Sequence, residues 1–340
     1  MTTRLAFLDL LADYGTRARR QALSYVPFDA SEYLVEPASD YLHRGGKGLR
    51  PALCLAACEA FGGRLDAALP TAAAIELFHT AFLVHDDVED DSQLRRGAPT
   101  LHRLHGSALA INAGDGLAFF ALAALRDNER TLGWRTASRI WSEFDLMARH
   151  TVEGQAMELG WRRDGRTDLT ADDYLDLIIK KTCWYTTILP LRVGTVIAAG
   201  TADLAAMVRF GFFLGAAFQI RDDILNLTGD PDAYGKERLG DLREGKRTLM
   251  LLHLLAAAAP DDRRWLETFL SEPDDAREAQ AERVYDMMQD YGSVGFADQF
   301  ARGIADLAVV AFDHAFADVP DSDARRFIRH LVAYMVERDR

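Results

Sequence analysis

Apolar residues recur along this chain at spacings of three and four over long stretches, and no series of alternating apolar and polar positions interrupts them. That period predicts helix after helix, ten or more. Breaks are predicted at Gly62-Gly63, Gly97-Ala98-Pro99, Gly160 to Leu169, Gly229 to Gly245, Ala259-Pro260 and Val319-Pro320. Thr170 followed by Asp173 reads as a capping box opening a helix through Ile179. Long helices with short connections predict an all-α fold, a single large helical bundle spanning residues 1–340 as one domain. Two helices stand apart, because their apolar runs, Ala72 to Val84 and Phe210 to Phe218, each end in acidic residues.

The first acidic cluster is His85-Asp86-Asp87-Val88-Glu89-Asp90-Asp91. Positions four apart share a helix face, so Asp86 and Asp90 present two carboxylates to one point, with Asp87 offset by about 100°. Like charges so placed repel unless a cation sits between them. The second cluster, Gln219-Ile220-Arg221-Asp222-Asp223-Ile224-Leu225-Asn226, repeats the design. If the two helices are neighbours in the bundle, their carboxylates converge at one end of a shared central apolar cavity. All-oxygen ligands select a hard ion, and magnesium prefers few carboxylates plus water and phosphate oxygens, which implies a diphosphate brought in with its metal.

Composition narrows the partners. With 340 residues, 49% of them hydrophobic, the chain can bury a sizeable core. Its net charge of −13 repels nucleic acid and anionic lipid headgroups, so an anionic substrate needs local cations. Cys54 and Cys58 sit one turn apart in an apolar run and read as buried small hydrophobes, which fits a reducing, cytoplasmic location. Asp9 and Asp13 stand where a signal peptide needs an apolar block. The longest apolar stretches, Gly116 to Leu125 and Phe210 to Phe218, fall short of a bilayer, so the expectation is a soluble protein with no membrane span.

Local cations are available. Gly45-Gly46-Lys47-Gly48-Leu49-Arg50-Pro51 places Lys47 and Arg50 in a glycine-rich entry to a helix, where backbone amides and two cations can hold a phosphate. His79 lies two turns before Asp86 on the same helix face. Arg95-Arg96-Gly97 follows the first cluster and offers two guanidiniums for bidentate contact with phosphate oxygens. Lys180-Lys181-Thr182, Lys236 and Lys246 add cations further on.

Taken in order and nearly end to end, these segments resemble the trans-isoprenyl diphosphate synthases, or polyprenyl synthetases, of the geranylgeranyl diphosphate synthase kind. The matching stretches also include Gly114-Asp115, Gly154-Gln155, Phe218 to Asp230, Gly235 to Leu249 and the basic end near Arg338. The resemblance implies the type I isoprenoid synthase fold and a homodimer. It implies that Asp86 and Asp90 of the DDxxD motif, helped by Asp87, hold two magnesium ions while Asp222, supported by Asp223, holds a third. By the same resemblance Lys47, Arg50, His79 and Arg96 bind isopentenyl diphosphate, and Arg95, Lys181, Lys246 and Lys236 bind the allylic diphosphate. Asp86, Asp90, Asp222, Lys181 and Arg95 then carry catalysis, with Thr182 and Gln219 bordering the reacting carbons. The chain departs from many members at Asn226, where they carry Asp.

The implied reaction breaks the allylic carbon–oxygen bond and joins the carbocation to the isopentenyl double bond in a dry cavity. Product length is set by residues four, five and eight before Asp86, namely Phe82, Ala81 and Phe78. Small Ala81 predicts a product beyond fifteen carbons, stopped by Phe78 near twenty or twenty-five. Two rivals are weaker. A class I terpene cyclase calls for a second metal motif that Asp222 to Asp230 does not fit, and a non-catalytic partner subunit calls for degraded motifs, which are intact here.

Overall fold

The computed structural model describes residues 2–200, 203–229 and 238–337. Among them the predicted helices are present: α1 (Thr2–Leu23), α2 (Glu32–Arg44), α3 (Leu49–Ala60), α4 (Leu65–Glu89), α5 (Leu101–His105), α6 (Ser107–Leu132), α7 (Trp134–Arg163), α8 (Ala171–Ile178), α9 (Leu189–Ala199) and α10 (Leu204–Thr228). Shorter helices follow to Asp290, and Ser293–Ala315 and Asp323–Glu337 complete the series.

The Thr170 capping box is present, with the Thr170 side chain accepting from the Asp173 backbone N–H and Asp173 accepting in return. Two local expectations change. Helix α7 runs through Gly160 to Arg163, so the break lies after Arg163. Beyond Ile178 the helix does not end but widens into a ten-residue π-helix, Ile179–Ile188, of the kind that marks functional sites.

The chain divides into two compact units: Met1–Ala148 with Tyr185–Gly211 and Ala311–Leu331, and Arg149–Trp184 with Phe212–Val310 and Val332–Arg340. Each is described by itself. The divisions fall inside helices, where no glycine- or proline-rich linker marks them, which is why hydrophobic periodicity showed no boundary.

In the first unit α4 is apolar nearly all round and is correspondingly buried, with α3 and α6 packed along it. Helix α9 packs on α3 at close range, since a Cβ on Gly194 would fall 2.8 Å from that of Ala57. By length and composition α4, α6 and α10 are each long and apolar enough to cross a membrane, which corrects the expectation drawn from uninterrupted apolar runs. A helix pools apolar residues across interruptions such as Glu76 and His79, which an uninterrupted count misses. In α4, 72% of the most apolar stretch is buried inside the protein, against 39% in α6. The difference shows as an exposed stripe on α6 that includes Ile111 and Phe119.

Candidate active site

The first unit assembles a basic pocket from segments far apart in sequence. Gly48, at φ 61°, turns the loop into α3, and a Cβ there would fall 2.7 Å from Gly15 Cα. Only glycine combines that backbone angle with so close an approach. From the first turn of α3, Arg50 Nη1 lies 3.3 Å from His79 Nε2, and its Nη2 donates to Tyr185 Oη at 3.1 Å. The guanidinium also lies 4.6 Å above the Tyr185 ring, which stacks on His79 at 5.9 Å.

Arg95 and Arg96 are carried by a minute hairpin, Leu94–Arg95 against Ala98–Pro99, a feature missed in sequence. Its central residues, Arg96 and Gly97, both have positive φ, as a two-residue type I′ turn requires. Arg44 Nη1 donates to the carbonyls of Arg95 and Pro99, while Arg96 Nη1 donates to that of Tyr41 at 2.7 Å. Arg96 lies against Gly46, and Arg19 donates to the Gly46 carbonyl at 2.6 Å, so the Lys47 loop and the hairpin meet. Lys47, Arg50, His79 and Arg96 thus come from three segments of one unit, with Lys47 exposed.

Burial, with Arg50, Arg96 and Arg95 nearby, pushes the His79 imidazole well below its ordinary range. Its ring is neutral at pH 7, and the guanidinium contact makes Nε2 the acceptor. The unfolded chain then binds a proton near pH 6.5 that the folded chain refuses, so this group costs stability as pH falls below about 6.5. Thermal melts should show wild type losing stability relative to His79→Gln by up to about 1.4 kcal/mol per pH unit below that point. Parallel curves for the two proteins between pH 6.5 and 5 would contradict the assignment. Beneath this pocket Glu76 is buried at 3% exposure, and burial raises its carboxyl above the usual range although Arg96, Arg19 and Arg50 oppose the shift.

The acidic end of α4 is less uniform than its sequence. Asp86 keeps 23% of its side chain exposed and lies 3.6 Å from Arg95. Asp87 is 1% exposed, accepts from Tyr41 Oη at 2.6 Å and is bound by Arg95 through Nε at 2.8 Å and through Nη2. Burial works against the Arg95 charge, but Asp87 outweighs it and holds the guanidinium protonated. Asp87, expected to help hold metal, is thus buried with both oxygens accepting from protein donors. Asp90, at 2% exposure, closes the helix as its C-cap. These acids stand at a helix C-terminus, where the macrodipole disfavours negative charge by about 0.3–1 kcal/mol each.

The second unit carries its own set. Asp222 is partly exposed on α10, whereas Asp223 is buried, accepting from Tyr174 Oη at 2.7 Å and Gln219 Nε2 at 2.7 Å. Burial, then the charge of Asp241, raises the Asp223 carboxyl well above its ordinary range. Asp223, expected to support the third metal, is likewise buried with its oxygens accepting from Tyr174 and Gln219. Gln219 Oε1 accepts from Thr182 Oγ1 at 2.9 Å, so these two residues meet as expected. Lys181 is ion-paired with Glu158, and Lys246 with Glu244 at 2.6 Å, so acids hold both cations in place. Asn226 is buried and its Oδ1 accepts from the Asp241 N–H at 3.1 Å, which fixes the loop beside the end of α10. Lys236, Asp230 and Arg338 lie outside the described residues.

Along α4 below Asp86, Ala81 is buried, while Phe82 and Phe78 are half-buried, 6.2 Å apart. Phe78 packs on Phe144 of α7 at 5.6 Å, and Phe82 meets the Tyr185 ring edge-on at 5.8 Å. Sequence reasoning missed Tyr41, Tyr174, Tyr185, Phe144, Glu76 and Glu158, whose partners lie tens of residues away and leave no local spacing to read.

Among the described residues no three Asp, Glu, His or Cys side chains converge closely enough to hold a metal by themselves. A cavity of about 790 Å³ in the first unit is lined by Glu59, Phe61, Met207, His314 and Val319, at the end of α3 away from Arg50, and includes none of the predicted site residues.

The family model described as polyprenyl synthetase matches residues 31–288. A geranylgeranyl diphosphate synthase of Sulfolobus acidocaldarius is 38% identical over 245 residues, covering 71% of this chain and 72% of that one. The crystal structure of geranylgeranyl pyrophosphate synthetase from Pyrococcus horikoshii superposes with a TM-score of 0.87 at 29% identity, over 99% of this chain and all of the other. That of geranylgeranyl pyrophosphate synthase from Corynebacterium glutamicum, complexed with isoprenyl diphosphate and magnesium, gives 0.83 at 26% identity, covering 97% and 98%.

Proposed function

Because this chain belongs to the polyprenyl synthetase family and is a chain-elongating trans-prenyltransferase, we propose that it joins isopentenyl diphosphate to an allylic diphosphate at the residues described above. The observation that carries the assignment is the contact of Arg50 with His79 beside the Arg96 hairpin, a cationic pocket that a chain of net charge −13 has no other evident reason to bury. Arg50, Arg96, Lys47 and the neutral His79 hold the diphosphate of isopentenyl diphosphate. Arg95, Lys181 and Lys246 hold that of the allylic partner, and Lys236 joins them.

Asp86, Asp90 and Asp222 would hold magnesium, three ions in all. Hard carboxylate oxygens suit that ion, and the lack of any three-ligand cluster among the described residues suits a metal that arrives with a diphosphate. When bound, magnesium takes up the negative charge left on the departing diphosphate. Arg95 and Lys181 add cations to the same end, and their ion pairs with Asp87 and Glu158 keep them oriented before substrate arrives. Thr182 and Gln219 border the reacting carbons, and apolar walls exclude water until the new bond forms.

The product lies near geranylgeranyl length or one unit longer, as in the relatives. We place the floor at Phe78, braced by Phe144, with Ala81 leaving room above it. Purified protein given magnesium, isopentenyl diphosphate and each allylic starter in turn should yield a product of that length. Ala81→Tyr should shorten the product by at least one unit and Phe78→Ala lengthen it. Unchanged lengths in both variants would discard this floor.

A second copy of the chain is the partner we assign to the exposed side of α6, where Phe119 at 68% and Ile111 at 45% exposure flank Asp115. Phe119→Lys should halve the mass measured by light scattering. Three buried cysteines, none in a disulfide among the described residues, support the reading of a cytoplasmic setting.

A further inference from the structure

Both acidic pairs share a construction that their sequences do not reveal. In each, the first aspartate is partly exposed, while the second is buried and tied to the hydroxyl of a buried tyrosine: Tyr41 to Asp87, Tyr174 to Asp223. In each, the second aspartate also grips a residue expected to face substrate. Asp87 takes Arg95 through Nε and Nη2, which leaves Nη1 as the edge that can meet a diphosphate. Asp223 takes the Gln219 amide nitrogen, which commits the amide oxygen to the Thr182 hydroxyl and so fixes the orientation of both.

We propose that labour is divided within each pair: the first aspartate is the one offered to metal, and the second, held by its tyrosine, is a positioning residue. Asp87 positions Arg95, and Asp223 positions Gln219 and through it Thr182. The inference rests on the reading of Asp86 and Asp222 as magnesium ligands and adds what their neighbours do. A direct metal bond to Asp87 would have to displace the Tyr41 and Arg95 donors that both its oxygens already accept from, whereas Asp86, one residue earlier, keeps 23% of its side chain accessible. Buried charge-assisted bonds of this kind are costly to break and hold their partners in one geometry.

The two ties differ in one respect that separates their effects. Asp87 meets a guanidinium, so its tie serves the grip on a diphosphate. Asp223 accepts from two neutral donors, Tyr174 and Gln219, so its tie serves placement beside the reacting carbons.

Steady-state kinetics with saturating isopentenyl diphosphate and a varied allylic starter, repeated across magnesium concentrations, test the division. Tyr41→Phe keeps the ring and removes the donor; it should raise KM for the allylic diphosphate about fivefold with kcat retained. Tyr174→Phe should lower kcat about fivefold with that KM retained. Asp87→Asn and Asp223→Asn should raise the magnesium needed for half-activation less than Asp86→Asn and Asp222→Asn do. An equal or larger rise in either second-aspartate variant would make the second aspartates ligands and overturn the proposal. So would Tyr→Phe variants whose constants lie within about threefold of wild type, or a reversed KM and kcat split. Melting curves identify any variant that fails to fold, and the Asn pair then decides. Wild-type turnover that ignored magnesium would instead remove the reading of Asp86 and Asp222 beneath it.

Discussion

Asp86→Asn should lower kcat by about a hundredfold to a thousandfold, the scale on which preorganised electrostatic stabilisation of a leaving group acts. The substitution keeps the shape of the side chain and removes one negative charge from an oxygen pair that is accessible and lies 3.6 Å from Arg95. Arg95 keeps its two bonds to Asp87, so the hairpin that carries it stays in place. Stability should hold or rise slightly, because a carboxylate at the C-terminal end of α4 opposes the helix dipole by about 0.3–1 kcal/mol. A loss of activity together with unchanged or improved melting is the signature of a residue kept for chemistry. Wild-type kcat in this variant would overturn the assignment of the acidic helix end.

Gly154→Ala should be the most damaging one-methyl change in the second unit. Helix α7 passes so near the π-helix that a Cβ at this position would fall 2.7 Å from Lys181 Cα and 2.9 Å from the Lys180 carbonyl carbon. Those are backbone atoms, which cannot swing aside as the tip of a side chain can. One of the two segments has to shift, at about 1–3 kcal/mol or more for overpacking of this kind. The shift carries Lys181 away from Glu158, and Thr182 away from Gln219, so kcat should fall about tenfold or more even where the protein still folds, since misplacement of about 1 Å is enough. A melting temperature and kcat both at wild-type values would mean the two segments are less closely packed than described.

The predicted positions divide by how far apart their partners lie. Asp86 and Asp90, or Thr170 and Asp173, are related within one or two turns of helix, and a spacing of three or four is a geometric statement the chain makes alone. Asn226 looked like a departure from a metal motif, and its contact with the Asp241 backbone showed only in the structure. The Arg96-Gly97 turn was hidden because arginine is uncommon at positive φ, and the contacts of Arg44, Tyr41 and Gly46 that hold it come from a segment about fifty residues earlier.

Periodicity alone determined that this chain is helical, and the residue types at the ends of two apolar helices pointed to a hard cation and a phosphorylated ligand. Tertiary structure decided which member of each aspartate pair remains accessible, which arginine edge is left open and which aromatic ring braces Phe78. The reason is that helix spacing reports neighbours on one face, whereas burial and hydrogen-bond partners depend on what other segments bring to that face. Asp86 and Asp87 are adjacent in sequence and chemically identical, and Tyr41, forty-six residues before Asp87, together with the Arg95 hairpin, makes them different.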